Sequence, residues 1–423
     1  MVVTDFDIII AGAGPAGLAV AKEVAKELGK GHRILVIDPK LKPETTAAWY
    51  SYADRIKANG LGSCVLHRCK SLMYVAMDLT HEMKDLLVVL DANKVLGLWQ
   101  RQAKSCGVQF VQDTLRDAEQ IAYGVSVKTA KSSYTARLLI DCTGITSPLL
   151  KKYNLVSHVN TWVLYGGVIT HITIKDPSRI YFLPLNDTHN TYIGIYPHSA
   201  HKADFYVFYN LNESIGNPTD LKPLFESSFK SHYPHARIAA PLFGRIAGGE
   251  LNAYALDNMV FFGQSGMMDP PGCGMGFNEI LLHHQAFARN IALCLKNNQL
   301  DAYALDAVAT SFRDPAIFQF QQIIAKYTYY FIFSPTKWRG GVAWLNSLGK
   351  DSRHWMRNEF SISWIKQASL KLYNTIPLSE VIQLMPPKDY AYIIEHFLKF
   401  VGNAVVEESE RIEKTYKKGL IGQ

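Results

Sequence analysis

The sequence contains no long apolar stretch and no cluster of cysteines. No run of about 18 or more consecutive apolar residues occurs, so we expect no membrane-spanning helix. The six cysteines are scattered and no pair has Cys-x-x-Cys spacing, which predicts reduced thiols and no metal site. The apolar run Ile8–Ile10 is too short for a signal peptide. These absences together predict a protein of the cytoplasm.

Dense clusters of Lys and Arg are also absent, which argues against nucleic-acid binding. The 423 residues are 48% hydrophobic and 19% charged, so the chain can bury a large core and is not disordered. The formal net charge of +7 is modest for this length. Such a charge suits an anionic small molecule or an anionic membrane surface.

The N-terminal segment contains a complete βαβ pattern. The apolar run Ile8–Ile10 leads into a Gly-x-Gly-x-x-Gly turn, a helical stretch follows over Leu18–Leu28, and a second apolar run ends at Asp38. This order of elements predicts a dinucleotide-binding unit, in which Asp38 would accept hydrogen bonds from the adenosine ribose.

Each residue of the turn has a physical role. Gly12 permits the tight turn, Gly14 lets the backbone approach a pyrophosphate, and Gly17 permits close packing of helix on strand. Pro15 and Ala16 begin the helix, whose unpaired N–H groups and positive dipole end favour phosphate. All five residues are therefore expected contacts or supports of the cofactor.

Two later segments indicate which dinucleotide is bound. Ala136–Gly144 has the pattern of a buried strand ending in a tight glycine turn, and Leu256–Gly266 has the pattern of another strand, followed by a glycine-rich stretch and a helix. This order resembles a large flavoprotein superfamily that includes aromatic hydroxylases, geranylgeranyl reductases, lycopene cyclases and flavin-dependent halogenases. The resemblance covers about residues 5–295 and implies that the cofactor is FAD.

The resemblance also implies further cofactor contacts. Gly144 would lie near the cofactor, and Gln264 stands where the superfamily usually has an Asp that hydrogen-bonds the ribityl hydroxyls. Gln264 can still donate and accept hydrogen bonds. A helix that begins near Phe277 would favour the anionic reduced flavin. The glycine-rich stretch that would wrap the flavin contributes four expected contacts: Gly274, Met275, Gly276 and Asn278.

The expected fold class is α/β, with a Rossmann-like FAD-binding domain, an inserted antiparallel β-sheet substrate domain and a helical C-terminal region. We expect the FAD-binding domain over residues 1–155 and 250–300, the substrate domain over 156–249 and the helical region over 301–423. The strand patterns of the substrate domain are rich in aromatic residues, which suits an apolar or aromatic substrate. Lys326 and Arg339 flank an aromatic-rich stretch, which leaves a peripheral membrane contact open.

Three functions remain open on these motifs. The first is an FAD-dependent oxidoreductase acting on a small apolar substrate, isoprenoid or lipid, as geranylgeranyl reductases and lycopene cyclases do. The acidic pair of the cyclases is not evident, since Tyr192–Ile195 stands in its place, and this favours hydrogenation. The second is a halogenase or monooxygenase of an aromatic substrate, although the Trp-x-Trp-x-Ile-Pro motif of halogenases is absent. The third is a non-catalytic flavin- or lipid-binding protein.

The motifs assign neither the electron donor nor a catalytic residue. Electrons would come from NAD(P)H or another reductant, directly or through a separate flavin reductase. The side chains that could carry chemistry are Asp269, Cys273, His283, His284, Tyr165 and Tyr181.

Overall fold

The computed structural model describes residues 4–42, 45, 49–76, 78–185, 191–210, 221–270, 275–331, 335–376 and 387–421. The strands are β1 (Phe6–Ala11), β2 (Ile34–Asp38), β3 (Trp49–Tyr52), β4 (Val65–Ala76), β5 (Leu79–Leu90), β6 (Gln109–Gln112), β7 (Leu115–Ile121), β8 (Gly124–Thr129), β9 (Ser133–Asp141), β10 (Val156–Thr170), β11 (Arg179–Pro184), β12 (Thr191–Ser199), β13 (Lys202–Asn210), β14 (Arg237–Leu251), β15 (Ala255–Leu256) and β16 (Met259–Phe261). The helices are α1 (Pro15–Leu28), α2 (Ala53–Ala58), α3 (Ala92–Ser105), α4 (Pro148–Lys152), α5 (Lys222–His232), α6 (Gly276–Asn297), α7 (Ala302–Thr310), α8 (Pro315–Phe331), α9 (Pro335–Leu348), α10 (Arg353–Arg357), α11 (Ile362–Thr375) and α12 (Pro387–Ile421).

The first sheet is the Rossmann-like part of the fold. Its parallel strands run in the order β16-β9-β1-β2-β6, and β1 lies between β9 and β2. Ile8, Ile9 and Ile10 have no exposed surface, because a central parallel strand is covered on both faces. Ile8 and Ile10 pack with α1, α3 and α6, whereas Ile9 packs with β7, β8 and α4. The α/β fold class predicted from the sequence is confirmed.

The second sheet has the order β14-β10-β13-β12-β11-β4-β5-β3. Most neighbouring strands are antiparallel, but β4 and β11 pair in parallel, so the sheet is mixed. The sequence analysis placed the whole of residues 1–155 in the FAD-binding domain and expected an inserted antiparallel sheet. In the structure β3–β5 pair within the second sheet. One face of these strands, with Leu72 and Leu87, packs with aromatic residues of β12 and α9, whereas Val88 and Leu90 pack on the Rossmann-like core.

The C-terminal region is helical, as expected, and it covers the second sheet. Trp344, Trp355 and Trp364 are buried together with Leu72 and Leu87 of the sheet. The two charged residues that flank the aromatic-rich stretch each have an acidic partner. Lys326 is buried and its Nζ lies 3.2 Å from the Asp389 carboxylate, because a charge inside a helix pair needs a partner; Arg339 binds Asp78. In the part of the chain that the structure describes, no helix is long and apolar enough to cross a bilayer.

Candidate active site

The turn between β1 and α1 is built by its glycines. Gly12 has a φ of +103°, and a Cβ there would lie 2.4 Å from the carbonyl oxygen of Cys142. A Cβ on Gly17 would lie 1.9 Å from the carbonyl oxygen of Gly12. A Cβ on Gly14 would meet no atom within 4 Å. The first and third glycines therefore allow the packing, whereas the second leaves open space in front of the helix N-terminus.

Asp38 fixes this turn from the end of β2. Its Oδ2 accepts a hydrogen bond of 2.7 Å from the Ala13 N–H, and its Oδ1 accepts one of 2.7 Å from the Lys40 N–H. Each oxygen keeps capacity for one more donor, which is what the predicted ribose contact requires.

The middle motif is organised around the buried carboxyl group of Asp141. This group accepts hydrogen bonds from the Thr143 N–H at 2.8 Å, from the Thr143 hydroxyl at 2.7 Å and from the Ser147 hydroxyl. Burial raises the pKa of Asp141, whereas these hydrogen bonds lower it. The turn that results gives Gly144 a φ of +86° and presents Thr143 and Gly144 to the cavity described below.

The late motif lies against the first two. Gly263, with a φ of +76°, brings its backbone so close to α1 that a Cβ there would lie 2.5 Å from the Ala16 Cβ. The Ser265 hydroxyl donates to the carbonyl of Asp141 at 2.6 Å. Arg313 is half-buried behind the following turn, where its guanidinium donates to the carbonyls of Gly266 and Met267. The three motifs thus form one rigid unit.

Asp269 connects the late motif to α6. Its side chain hydrogen-bonds with the side chain of Gln264 and accepts from the Gly276 N–H, and a Cβ on Gly276 would lie 1.8 Å from its Oδ1. Burial, together with the like charge of Glu279 and against two hydrogen bonds that lower it, raises the pKa of Asp269 to about 7. This carboxyl group therefore gains and loses a proton near neutral pH.

Asn278, in the first turn of α6, is buried and ties the helix to β3. Its Oδ1 accepts a hydrogen bond of 2.5 Å from the Ser51 hydroxyl, and its Nδ2 lies 3.4 Å from the carbonyl oxygen of Tyr50. The side chain borders the cavity, so the amide helps to fix the strand that carries Trp49 and Tyr50 beside the predicted flavin position.

A cavity of about 460 Å³ joins these motifs to the second sheet. Eight residues predicted to bind the cofactor line it: Gly14, Pro15, Ala16, Gly144, Gln264, Met275, Gly276 and Asn278. Gly12, Gly17 and Asp38 lie behind the lining and support the turn. Gly274 and Cys273 lie outside the described residues.

The far part of the cavity is an aromatic chamber. Tyr192 stacks on Phe208 at a centroid distance of 4.6 Å, and Tyr50 packs on Tyr196 at 5.2 Å. Burial raises the pKa values of Tyr50 and Tyr196 well above the usual range, so both phenols stay neutral. The other aromatic side chains of the chamber are Trp49, Tyr74, Trp162, Phe182, Tyr206, Phe277, Trp344 and Trp355.

Four candidate side chains from the sequence analysis do not line the described cavity. Tyr165 packs on Phe225, and the Tyr181 hydroxyl donates to the carbonyl of Asp176, on the opposite face of the sheet. His284 is buried against Lys22 and Glu23 between α1 and α6, and its neighbour His283 pairs with Glu279. Asp269 is the one candidate from that group that reaches the described cavity.

The sequence analysis did not single out most of the chamber. One indication in the sequence was the aromatic pair Trp49–Tyr50, which comes directly after the βαβ unit and lines the cavity. For β10 and β11 the usable signal was the alternation of faces, since Trp162, Leu164 and Phe182 line the cavity.

The comparisons with known proteins agree with this geometry. Residues 7–164 match the family model described as lycopene cyclase protein. No curated protein matches the chain. A solved geranylgeranyl bacteriochlorophyll reductase-like protein from Thermoplasma acidophilum is 14% identical, with a TM-score of 0.69 over 90% of this chain and 99% of that one.

Flavin-dependent halogenases are similar in fold to the same degree. The flavin-dependent brominase Bmp2 is 15% identical, with a TM-score of 0.67 over 89% of this chain and 99% of that one. A mutant of the halogenase PltM, solved in complex with FAD, is 13% identical, with a TM-score of 0.66 over 96% of both chains. The chain therefore has the fold of the FAD-dependent oxidoreductase superfamily, as its motifs predicted.

Proposed function

We propose that the protein is an FAD-dependent oxidoreductase that acts on an apolar substrate, an isoprenoid or another lipid. The observation that carries this proposal is the continuous cavity, which runs from the open side of Gly14 to the aromatic chamber. One cavity of this kind lets a dinucleotide bound at one end meet a substrate held at the other.

The residues present suit FAD. The space in front of Gly14 and the N-terminus of α1 would take the pyrophosphate, and Asp38 would hold the ribose. Gln264 and the N-terminus of α6 would hold the ribityl chain and the flavin ring. When bound, FAD supplies the transfer of hydride or electrons, which protein side chains do not perform on their own.

The chamber favours an apolar substrate. The described lining of the whole cavity contains many aromatic side chains and only two charged ones, Arg245 and Asp269, and Asp269 lies at the cofactor end. A saturated or polyene hydrocarbon chain would bury its surface there without leaving polar groups unpaired.

Halogenation or oxygenation of an aromatic substrate is the second candidate, because the fold is shared equally with a brominase and a halogenase. The chamber argues against the halogenase variant. Among its described lining residues there is no lysine that could carry a haloamine. The proposed electron donor is NAD(P)H or another reductant, with a separate flavin reductase as the alternative route.

The proposal is tested with the purified protein. We expect a flavin absorption spectrum, either as isolated or after addition of FAD, and bleaching of that spectrum on anaerobic reduction. Rapid reoxidation in air without a persistent oxygen adduct supports the reductase, whereas a long-lived adduct supports the halogenase or monooxygenase. Failure to take up FAD overturns both, and a bound flavin that no reductant reaches indicates a non-catalytic protein.

A further inference from the structure

Asp269 is the only carboxylic acid among the described residues that line the cavity. It is 4% exposed, and it lies where the FAD-binding motifs end and α6 begins. None of the FAD contacts proposed above involves the Asp269 carboxyl group. Its position is nevertheless specific, because only a glycine at position 276 lets a carboxyl group come so close to the helix backbone.

The contacts of Asp269 join two groups that would face the flavin. One is the side chain of Gln264, which stands in place of the usual Asp of the superfamily, and the other is the first N–H of α6. Met275, the residue before the helix, makes no side-chain cap on α6. Asp269 therefore occupies the capping position from outside the helix.

One charged group acts on Asp269, and two arginines lie on the cavity and on the turn that hold it. Glu279 lies one turn along α6 and carries the like charge that opposes ionisation of Asp269. Arg245 of β14 lines the same cavity, and its carbonyl oxygen lies 3.5 Å from the Gln264 amide nitrogen. Arg313 binds the carbonyls of Gly266 and Met267 behind the turn.

A helix N-terminus has a limited capacity for negative charge. An ionised Asp269 would occupy the Gly276 N–H and neutralise the positive end of the α6 dipole, so a second anion nearby would be repelled. A neutral Asp269 would leave that end available to another negative group. The two anions therefore compete for one helix end.

We propose, on the basis of the FAD function inferred above, that Asp269 is a positioning residue whose protonation frees the N-terminus of α6 for the anionic reduced flavin. Asp269 would take up a proton from solvent on reduction of the cofactor, while the external reductant would supply the two electrons and the one proton that an anionic reduced flavin carries, as a hydride equivalent. No bond to carbon forms or breaks at Asp269. The site thus links the redox state of the cofactor to the charge of one buried carboxyl group.

The test is the midpoint potential of the FAD-loaded protein, measured by spectroelectrochemistry across neutral pH. In the wild type we expect the potential to fall about twice as steeply with pH above about pH 7 as below it, because an additional proton accompanies the two electrons. In Asp269→Asn we expect one shallow slope throughout. In Glu279→Gln, which removes the like charge, we expect the break to move to lower pH.

The outcomes separate this inference from the function on which it rests. A wild type that binds FAD but shows no break overturns the role of Asp269 and leaves the oxidoreductase standing. A break that persists in Asp269→Asn, or that stays in place in Glu279→Gln, assigns the proton to another group and also overturns it. If Asp269→Asn does not fold, the wild type and Glu279→Gln still decide. A wild type that takes up no FAD overturns both proposals.

Discussion

The Cβ position of Gly17 lies 1.9 Å from the carbonyl oxygen of Gly12, so α1 rests directly on the turn that precedes it. Gly14, two residues after Gly12, faces open space. These two environments predict opposite effects of adding a side chain. Gly17→Ala would force the helix away from the turn and destabilise the fold by about 1–3 kcal/mol.

Gly14→Val should fold normally and bind FAD at least about tenfold more weakly, because its side chain would fill the space expected for the pyrophosphate. Thermal unfolding and a fluorescence titration with FAD measure the two effects. Unchanged FAD affinity in a folded Gly14→Val would contradict the placement of the pyrophosphate.

Arg357 attaches the C-terminal helices to the second sheet. Its guanidinium binds the Asp85 carboxylate through two bonds of 2.6 and 2.9 Å in a half-buried position. Arg357→Met should lower the free energy of unfolding by about 2 kcal/mol, because it leaves the half-buried Asp85 carboxylate without its partner. The matched control is Arg339→Met, whose partner Asp78 is exposed, and it should cost less than about 1 kcal/mol. Urea unfolding measures both, and equal costs would argue against the attachment.

The aromatic chamber should bind long apolar molecules even without turnover. Leu242 lines it, so Leu242→Trp would fill space that a substrate needs while leaving the FAD end of the cavity unchanged. We expect this variant to lose the fluorescence increase of parinaric acid, a polyene fatty acid, that the wild type produces. Leu86→Trp, at a position that is 66% exposed, is the control. A Leu242→Trp protein that binds the probe like the wild type would place the apolar site elsewhere.

His284 makes the free energy of unfolding depend on pH in the acidic range. Burial, with help from the charge of Lys22, lowers the pKa of His284 to about 4 in the folded chain, against 6.5 for an ordinary histidine. As the pH falls from 6.5 to 4, His284 takes up a proton in the unfolded chain but not in the folded chain, so this residue alone lowers the free energy of unfolding by about 3 kcal/mol.

Urea unfolding at a series of pH values measures this loss. In His284→Gln the loss should be smaller than in the wild type by about 3 kcal/mol, and the part that remains comes from His396 and His81, whose pKa values burial also lowers. His283→Gln, at the neighbouring and more accessible position, should keep the slope of the wild type. An unchanged slope in His284→Gln would mean that other groups produce the acid sensitivity.

A peripheral membrane contact, which the sequence predicts at the aromatic-rich stretch, can also be tested on α12, a helix outside that stretch. Phe397, Leu398 and Val401 are 53%, 65% and 41% exposed and share one face of the helix. If this face binds anionic bilayers, Phe397→Asp should reduce sedimentation with vesicles that contain an acidic lipid. Tyr303→Asp, on the exposed surface of α7, should not. No sedimentation of the wild type would exclude the contact.

The cofactor end of the site could be predicted from the sequence because its signals are local. A glycine that must turn, an apolar strand before it and a helix after it lie within one short segment, as at Gly12–Gly17. The same holds for α3, which begins where Asp91 caps the Lys94 N–H. In both segments the structure of each residue is determined by residues close to it in sequence, which is why a local pattern predicts it.

The substrate end could not be predicted in this way, because its pairings join distant segments. Nothing in Val65–Ala76 shows that it pairs with β11, about a hundred residues later. Tyr165 and Tyr181, candidates for chemistry in the sequence analysis, lie on the face of the sheet away from the cavity, because successive strand residues point to opposite faces. Their neighbours Leu164 and Phe182 line the cavity instead, one position away on each strand.

The alternation of the chain between the two sheets has a consequence for synthesis. Residues 6–38, 109–141 and 255–261 build one sheet, whereas residues 49–90 and 156–251 build the other. Neither sheet has all its strands until roughly the first 250 residues have left the ribosome. Until then, strands formed early in synthesis have edges without a hydrogen-bonded neighbour. A shortened chain that ends within β10–β14 should therefore be a substrate for chaperones and proteases rather than a working half of the protein.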